Sequence, residues 1–158
     1  MIEVVITDEM VNEARKSAKE LGRLKNSIEK GAGNLAGFIG EILVRETFGY
    51  KKESTYDYDL VDTKGLKIDV KTKRTTVTPK PDYDCSVAAF NTKQKCDKYV
   101  FVRILGDLSK GWILGEMNKE DYFESARYMP KGKIDPANGF RVKANCYNVA
   151  IQDLQECK

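Results

Sequence analysis

From Asp8 onward the apolar residues Met10, Val11, Ala14, Ala18 and Leu21 recur at helical spacing. Thr7 or Asp8 precedes them as a cap, so the spacing predicts a helix running to about Gly22. Residues 30–34, "KGAGN", form a glycine-rich break. A second helix is expected from Asn34, its cap, to a stop at Gly49, with Leu35, Phe38, Ile39 and Ile42 as its apolar stripe. Beyond Gly49 the period changes to two. Tyr56, Tyr58 and Leu60 alternate with Asp57, Asp59 and Val61; Leu66, Ile68 and Val70 alternate with Lys67, Asp69 and Lys71. Residues 85–90, 98–105 and 111–117 read as further strands, 118–129 as a short helix, and 147–154 as a last strand. This order predicts one α/β or α+β domain over residues 1–158.

The two alternating runs predict a hairpin. Thr63-Lys64-Gly65 fits a three-residue loop, a type I turn followed by glycine in the left-handed conformation. Asp62 then pairs with Leu66, and counting outward sets Leu60 opposite Ile68, Tyr58 opposite Val70, Asp57 opposite Lys71 and Asp59 opposite Asp69. The apolar partners share one side, which makes the register self-consistent.

Composition narrows the chemistry. The 158 residues include no histidine, which removes His-based general bases, Ser-His triads and most transition-metal sites. The four cysteines (Cys85, Cys96, Cys146, Cys157) are too far apart for zinc knuckles and are expected to be free thiols of a reducing compartment. The acidic start "MIEVVITDEM" is unlike a secretory signal, and no run approaches a spanning helix. A cytoplasmic protein without membrane contact is therefore expected. The net charge is +3, yet residues 64–103 carry ten Lys and Arg against four Asp. Such a local excess suits a polyanion such as nucleic acid, and a solvated charged face explains it too.

An acid two residues before a lysine occurs three times, at Asp62/Lys64, Asp69/Lys71 and Glu156/Lys158. The expected hairpin singles out the second. Asp59 and Asp69 on facing positions repel unless a hard cation sits between them, and Lys71 shares that face. On the second helix Asn34, Gly37, Glu41 and Arg45 share one side. Gly37 and Gly40 each cost such a helix about 1 kcal/mol, which points to another element passing close to Glu41.

The stretches "GNLAGFIGEILV" and "YDYDLVDTKGLKIDVKTK" resemble the restriction-endonuclease-like superfamily, the PD-(D/E)XK nucleases, over residues 34–73. The resemblance implies a mixed central β-sheet flanked by helices and Mg²⁺- or Mn²⁺-dependent hydrolysis of DNA. Asp59 and Asp69 would hold the metal, with the Val70 carbonyl as an extra ligand. Glu41 would bind through water or hold a second metal. Lys71 would act on the attacking water, and Lys73, Arg74 and Arg45 would contact phosphates. Tyr58 stands where the family has proline, which leaves Asp57 as a rival to Asp59. Gln94 and Tyr99 are similar to a glutamine-tyrosine motif of some branches, at a spacing off by one. A homodimer is the expected way for so short a nuclease to cut both strands. Two other readings stay open: a nucleic-acid-binding domain of the same fold without catalysis, and an unrelated α/β protein with a solvated charged hairpin.

Overall fold

The computed structural model describes residues 1–21, 34–136 and 139–158. The expected first-helix terminus at Gly22, the glycine-rich break and the side chain of Asn34 lie outside them. Helix α1 (Asp8–Leu21) begins where Thr7 Oγ1 accepts the Met10 N–H at 3.2 Å, so Thr7 is the cap. Helix α2 (Asn34–Phe48) ends at Gly49, whose φ of 69° is a conformation that side chains avoid.

Nine strands form two sheets among the described residues: β1 (Ile2–Val5), β2 (Lys51–Lys52), β3 (Leu60–Val61), β4 (Lys67–Thr75), β5 (Asp84–Ala88), β6 (Lys98–Leu105), β7 (Lys110–Asn118), β8 (Arg127–Met129) and β9 (Cys146–Ala150). A six-stranded mixed sheet runs β1-β7-β6-β4-β3-β2, with β4 and β6 parallel and its other pairs antiparallel. A three-stranded antiparallel sheet runs β5-β9-β8.

Both faces of the large sheet are covered. Ile68, Val70, Val100, Val102 and Ile104 pack with Ile39, Leu43 and Ala14 from the two helices. On the other face Tyr99, Phe101 and Trp112 pack with Cys85, Val87 and Val149 of the small sheet and Tyr122 of α3 (Lys119–Ser125). Double burial is why residues 99–102 form an unbroken apolar run rather than an alternating one. No described helix is long and apolar enough to cross a membrane.

Several expectations need correction. Residues 118–129 are a helix only to Ser125; Ala126 is extended and Arg127–Met129 join β9 as a strand. Strand β1 was not foreseen, since four residues at a sheet edge carry too little periodicity, and the same holds for β2. The predicted strands at 85–90 and 147–154 each end early in a 3₁₀ turn. The hairpin has its expected turn, with Gly65 at φ 84° and its N–H on the Asp62 carbonyl at 3.1 Å. Leu60 faces Ile68 as counted, but the ladder stops there. Tyr58 does not pair with Val70 across it; it packs against the second cluster, with Lys67 Nζ 5.3 Å from its ring centroid.

Candidate active site

The early end of β3 creates the site. Beyond Ile68 the β4 edge has no partner strand on that side among the described residues, and a groove runs along it between α2 and the small sheet. Glu41, Asp59, Val70, Lys71, Lys73 and Arg74 all line this groove. Asp69 sits behind them, only 4% exposed. It is no wet strand face.

Hydrogen bonds that replace the missing ladder hold the segment before Asp59. The Asp59 carbonyl accepts from Glu53 and Ser54 N–H, each at 2.9 Å. Thr55 Oγ1 accepts from the Asp57 and Tyr58 N–H groups and donates to the Tyr58 carbonyl. Asp59 N–H still reaches the Ile68 carbonyl at 2.8 Å, and its Oδ2 takes the Val70 N–H at 2.7 Å. Thus the carboxylate of Asp59 occupies the place where Tyr58 was expected to pair with Val70. Asp57 turns elsewhere, accepting the Lys95 N–H at 3.0 Å instead of facing Lys71.

On the next strand Lys71 Nζ lies 2.5 Å from Asp69 Oδ2. The contact is an ion pair without hydrogen-bond direction, which leaves this buried oxygen with no hydrogen bond among the described residues. Lys71 Nζ also donates to Gln94 Oε1 at 3.2 Å and stands 5.8 Å from the Tyr99 ring centroid. Gln94 Nε2 in turn donates to the Tyr56 carbonyl at 3.0 Å. Gln94 and Tyr99 therefore converge on Lys71 despite their irregular spacing.

Glu41 approaches from α2. Gly40 beside it is needed for close packing, since a Cβ there would collide with Thr72 on β4; at Gly37 the space is open. The close approach inferred from the two glycines thus holds for one of them. Burial is the main cause that raises the Glu41 pKa to about 7, and the charge of Asp69 adds to it while Lys52 opposes it. Asp59 is raised well above the carboxylate range by burial first, then by Asp69 and Glu41, against the Val70 hydrogen bond and Lys71. Three carboxylates thus feel one another in a place that solvates charge poorly. Lys52, which lines the groove beside Glu41, escaped the sequence reading because a two-residue strand in a polar stretch carries no signal.

The expected phosphate contacts divide. Arg74 is exposed in the groove. Lys73 rests its Nζ 5.5 Å from the Phe140 ring centroid. Arg45 is engaged elsewhere, holding Glu13 bidentately at 2.7 and 3.0 Å and Glu46 at 2.5 Å.

The donor set fits a hard divalent ion. Asp59 and Asp69 lie near enough for the charge of one to act on the other, and Mg²⁺ is commonly held by one or two carboxylates with water completing its shell. Among the described residues no three Asp, Glu or Cys side chains gather tightly enough to cage an ion unaided. No protein-family model matches the chain, and no curated protein matches its sequence.

Proposed function

We propose that the protein is a metal-dependent endodeoxyribonuclease with a restriction-endonuclease-like core. The observation that supports this most is the meeting of Asp59, Asp69 and Lys71 along the open β4 edge, with Glu41 brought in over Gly40. Mg²⁺ or Mn²⁺ would be held by Asp59 and Asp69, with the Val70 carbonyl and Glu41 as further ligands. When bound, the metal would lower the pKa of a water and offset charge on the scissile phosphate.

The chain's own groups do the rest. Lys71, oriented by Gln94, exchanges its contact with Asp69 for the attacking water or a phosphate oxygen. Gln94, itself held through the Tyr56 carbonyl, restricts where that ammonium can go. Lys73 and Arg74 extend positive charge along the strand toward neighbouring phosphates. Arg45 could join them only by giving up Glu13 and Glu46. A homodimer cutting both strands suits so compact a chain.

One observation favours a second reading, a nucleic-acid-binding domain without catalysis: Lys71 already neutralises Asp69 at 2.5 Å. Incubation with plasmid, branched and single-stranded DNA, in Mg²⁺ and in EDTA, separates the two. Cleavage in Mg²⁺ that EDTA stops supports the nuclease; binding without cleavage supports the second reading.

A further inference from the structure

Arg103 lies at the centre of the large sheet and is only 7% exposed. Its register partner on β4 is Lys73. Partners on adjacent parallel strands raise their side chains from the same face, with strands about 4.8 Å apart. Both residues line the groove, on the side of the small sheet. Two cations therefore stand side by side, Arg103 buried and Lys73 exposed at the groove.

The charge of Asp84 reaches both, yet its carboxylate pairs with neither. Of the eight ion pairs identified among the described residues none involves either of them, and both face the groove. Arg103 spends one donor on the Asp84 carbonyl at 2.6 Å. The carboxylate of Asp84 is bonded to Arg127 at 3.0 and 3.1 Å, and the charge of Asp135 acts on it as well. Burial lowers the pKa of Arg103 and of Lys73, and Arg103 lowers that of Lys73 further. A buried arginine is ordinarily matched by a carboxylate, because an uncompensated charge is costly. A guanidinium fork left open toward a groove matches the oxygens of a phosphate.

We infer that Arg103 and Lys73 form a phosphate-binding subsite in the groove that grips one backbone phosphate beside the scissile one. Lys73 lies two residues beyond Lys71 on the same strand face, a step of about 7 Å. The identity of the ligand rests on the nuclease reading. Arg103 supplies the directed hydrogen bonds and Lys73 the adjoining charge.

The test is DNA binding across a salt series in Ca²⁺, which needs no cleavage. Arg103→Gln, Lys73→Gln, the double variant and a control on exposed α1, Lys16→Gln, are compared with the unaltered protein. Each single variant in the groove should weaken binding on the order of tenfold. The double variant should lose less than the two losses combined and flatten the log K versus log salt slope by about 0.7–0.9, one phosphate contact. Lys16→Gln should change neither. Because Arg103 is buried, thermal unfolding of its variant is measured alongside, and Lys73→Gln, at an exposed residue, carries the test if Arg103→Gln does not fold. Unchanged affinity and slope in a protein that still binds and cuts DNA would overturn the subsite alone. Additive losses would overturn the sharing of one phosphate. A protein that neither binds nor cuts DNA would remove both the subsite and the nuclease reading.

Discussion

Two lysines on neighbouring strands each sit among carboxylates, and the two clusters behave in opposite ways. Lys98 on β6 is 5% exposed and is held by Glu116 at 2.9 Å and Asp62 at 3.2 Å, with its Nζ 5.8 Å from the Tyr50 ring centroid. Asp62 also accepts the Lys64 and Leu66 N–H groups at 2.8 and 2.9 Å. Burial alone would raise its pKa, yet those hydrogen bonds and Lys98 bring it below the usual carboxylate value. Burial likewise works against the charge of Lys98, and Glu116 and Asp62 overcome it. This cluster is satisfied. Around Lys71 the same residue types are short of partners: Asp59 and Glu41 are both raised, and Asp69 Oδ2 lacks a hydrogen bond. A satisfied buried cluster fixes a structure, whereas one that strains against its own charge is suited to receive a cation or a substrate. Asp62 also belongs to an acid-x-lysine tripeptide, so the tripeptide by itself does not tell the two apart.

Substitutions can break this contrast. The largest effect is expected from Asp69→Asn, which should abolish Mg²⁺-dependent cleavage while DNA binding in Ca²⁺ survives or strengthens. Single-turnover cleavage at full rate in that variant would move the metal centre elsewhere.

Lys98→Met should act on stability. Removing the cation leaves Asp62 and Glu116 buried without it, a loss of about 3–5 kcal/mol by denaturant unfolding. Lys71→Met also takes the cation from a buried carboxylate, Asp69, but it should cost less, because the neighbouring Asp59 and Glu41, both raised, can take up a proton and relieve the charge. Equal losses would erase the distinction between the two clusters.

Within β4, Lys71→Ala should slow cleavage by a factor on the order of 10² or more, the scale of a positioned proton-transfer or charge-stabilising group. Lys67→Ala, opposite Val61 at the turn, should cost at most a few-fold, and less at high salt. Equal effects in single-turnover assays would make the strand a general basic face.

The smallest effect concerns Glu41 in EDTA. Its folded pKa of about 7 exceeds the ordinary 4.5, so the native state binds this proton more tightly than the unfolded chain. The stabilisation is fully present below about pH 4.5 and fades as pH rises through about 7. Glu41→Gln should therefore be neutral at acid pH and raise stability by about 1–3 kcal/mol at pH 8. A gain of the same size at both extremes of pH would show that Glu41 does not titrate as described.

Part of this could be read without coordinates. The helical spacing after Asp8 and again after Asn34 marked both long helices, because burying one stripe of a helix imposes that period whatever it packs against. The turn at Thr63-Lys64-Gly65 was legible because a three-residue loop needs a residue that tolerates positive φ. The pairing of Leu60 with Ile68 followed from that turn by counting. Candidate residues were legible for a similar reason: without histidine, acids and lysines had to carry any chemistry.

Tertiary structure decided the rest. Whether the hairpin ladder continued past Asp59 depended on Thr55 and on the Lys95 N–H, the latter brought in by a distant loop, and no local period records such partners. The engagement of Arg45 by Glu13 and the convergence of Gln94 on Lys71 join residues 32 and 23 positions apart. Arg103 carries no local mark that separates it from other charges in a strand; the small sheet, through the Asp84 carbonyl, gives it its buried setting. Local sequence determines which period a segment can satisfy, since that depends on near neighbours. Whether a charge ends up neutralised or exposed to a groove depends on what the fold places opposite it, and only the assembled sheets determine that.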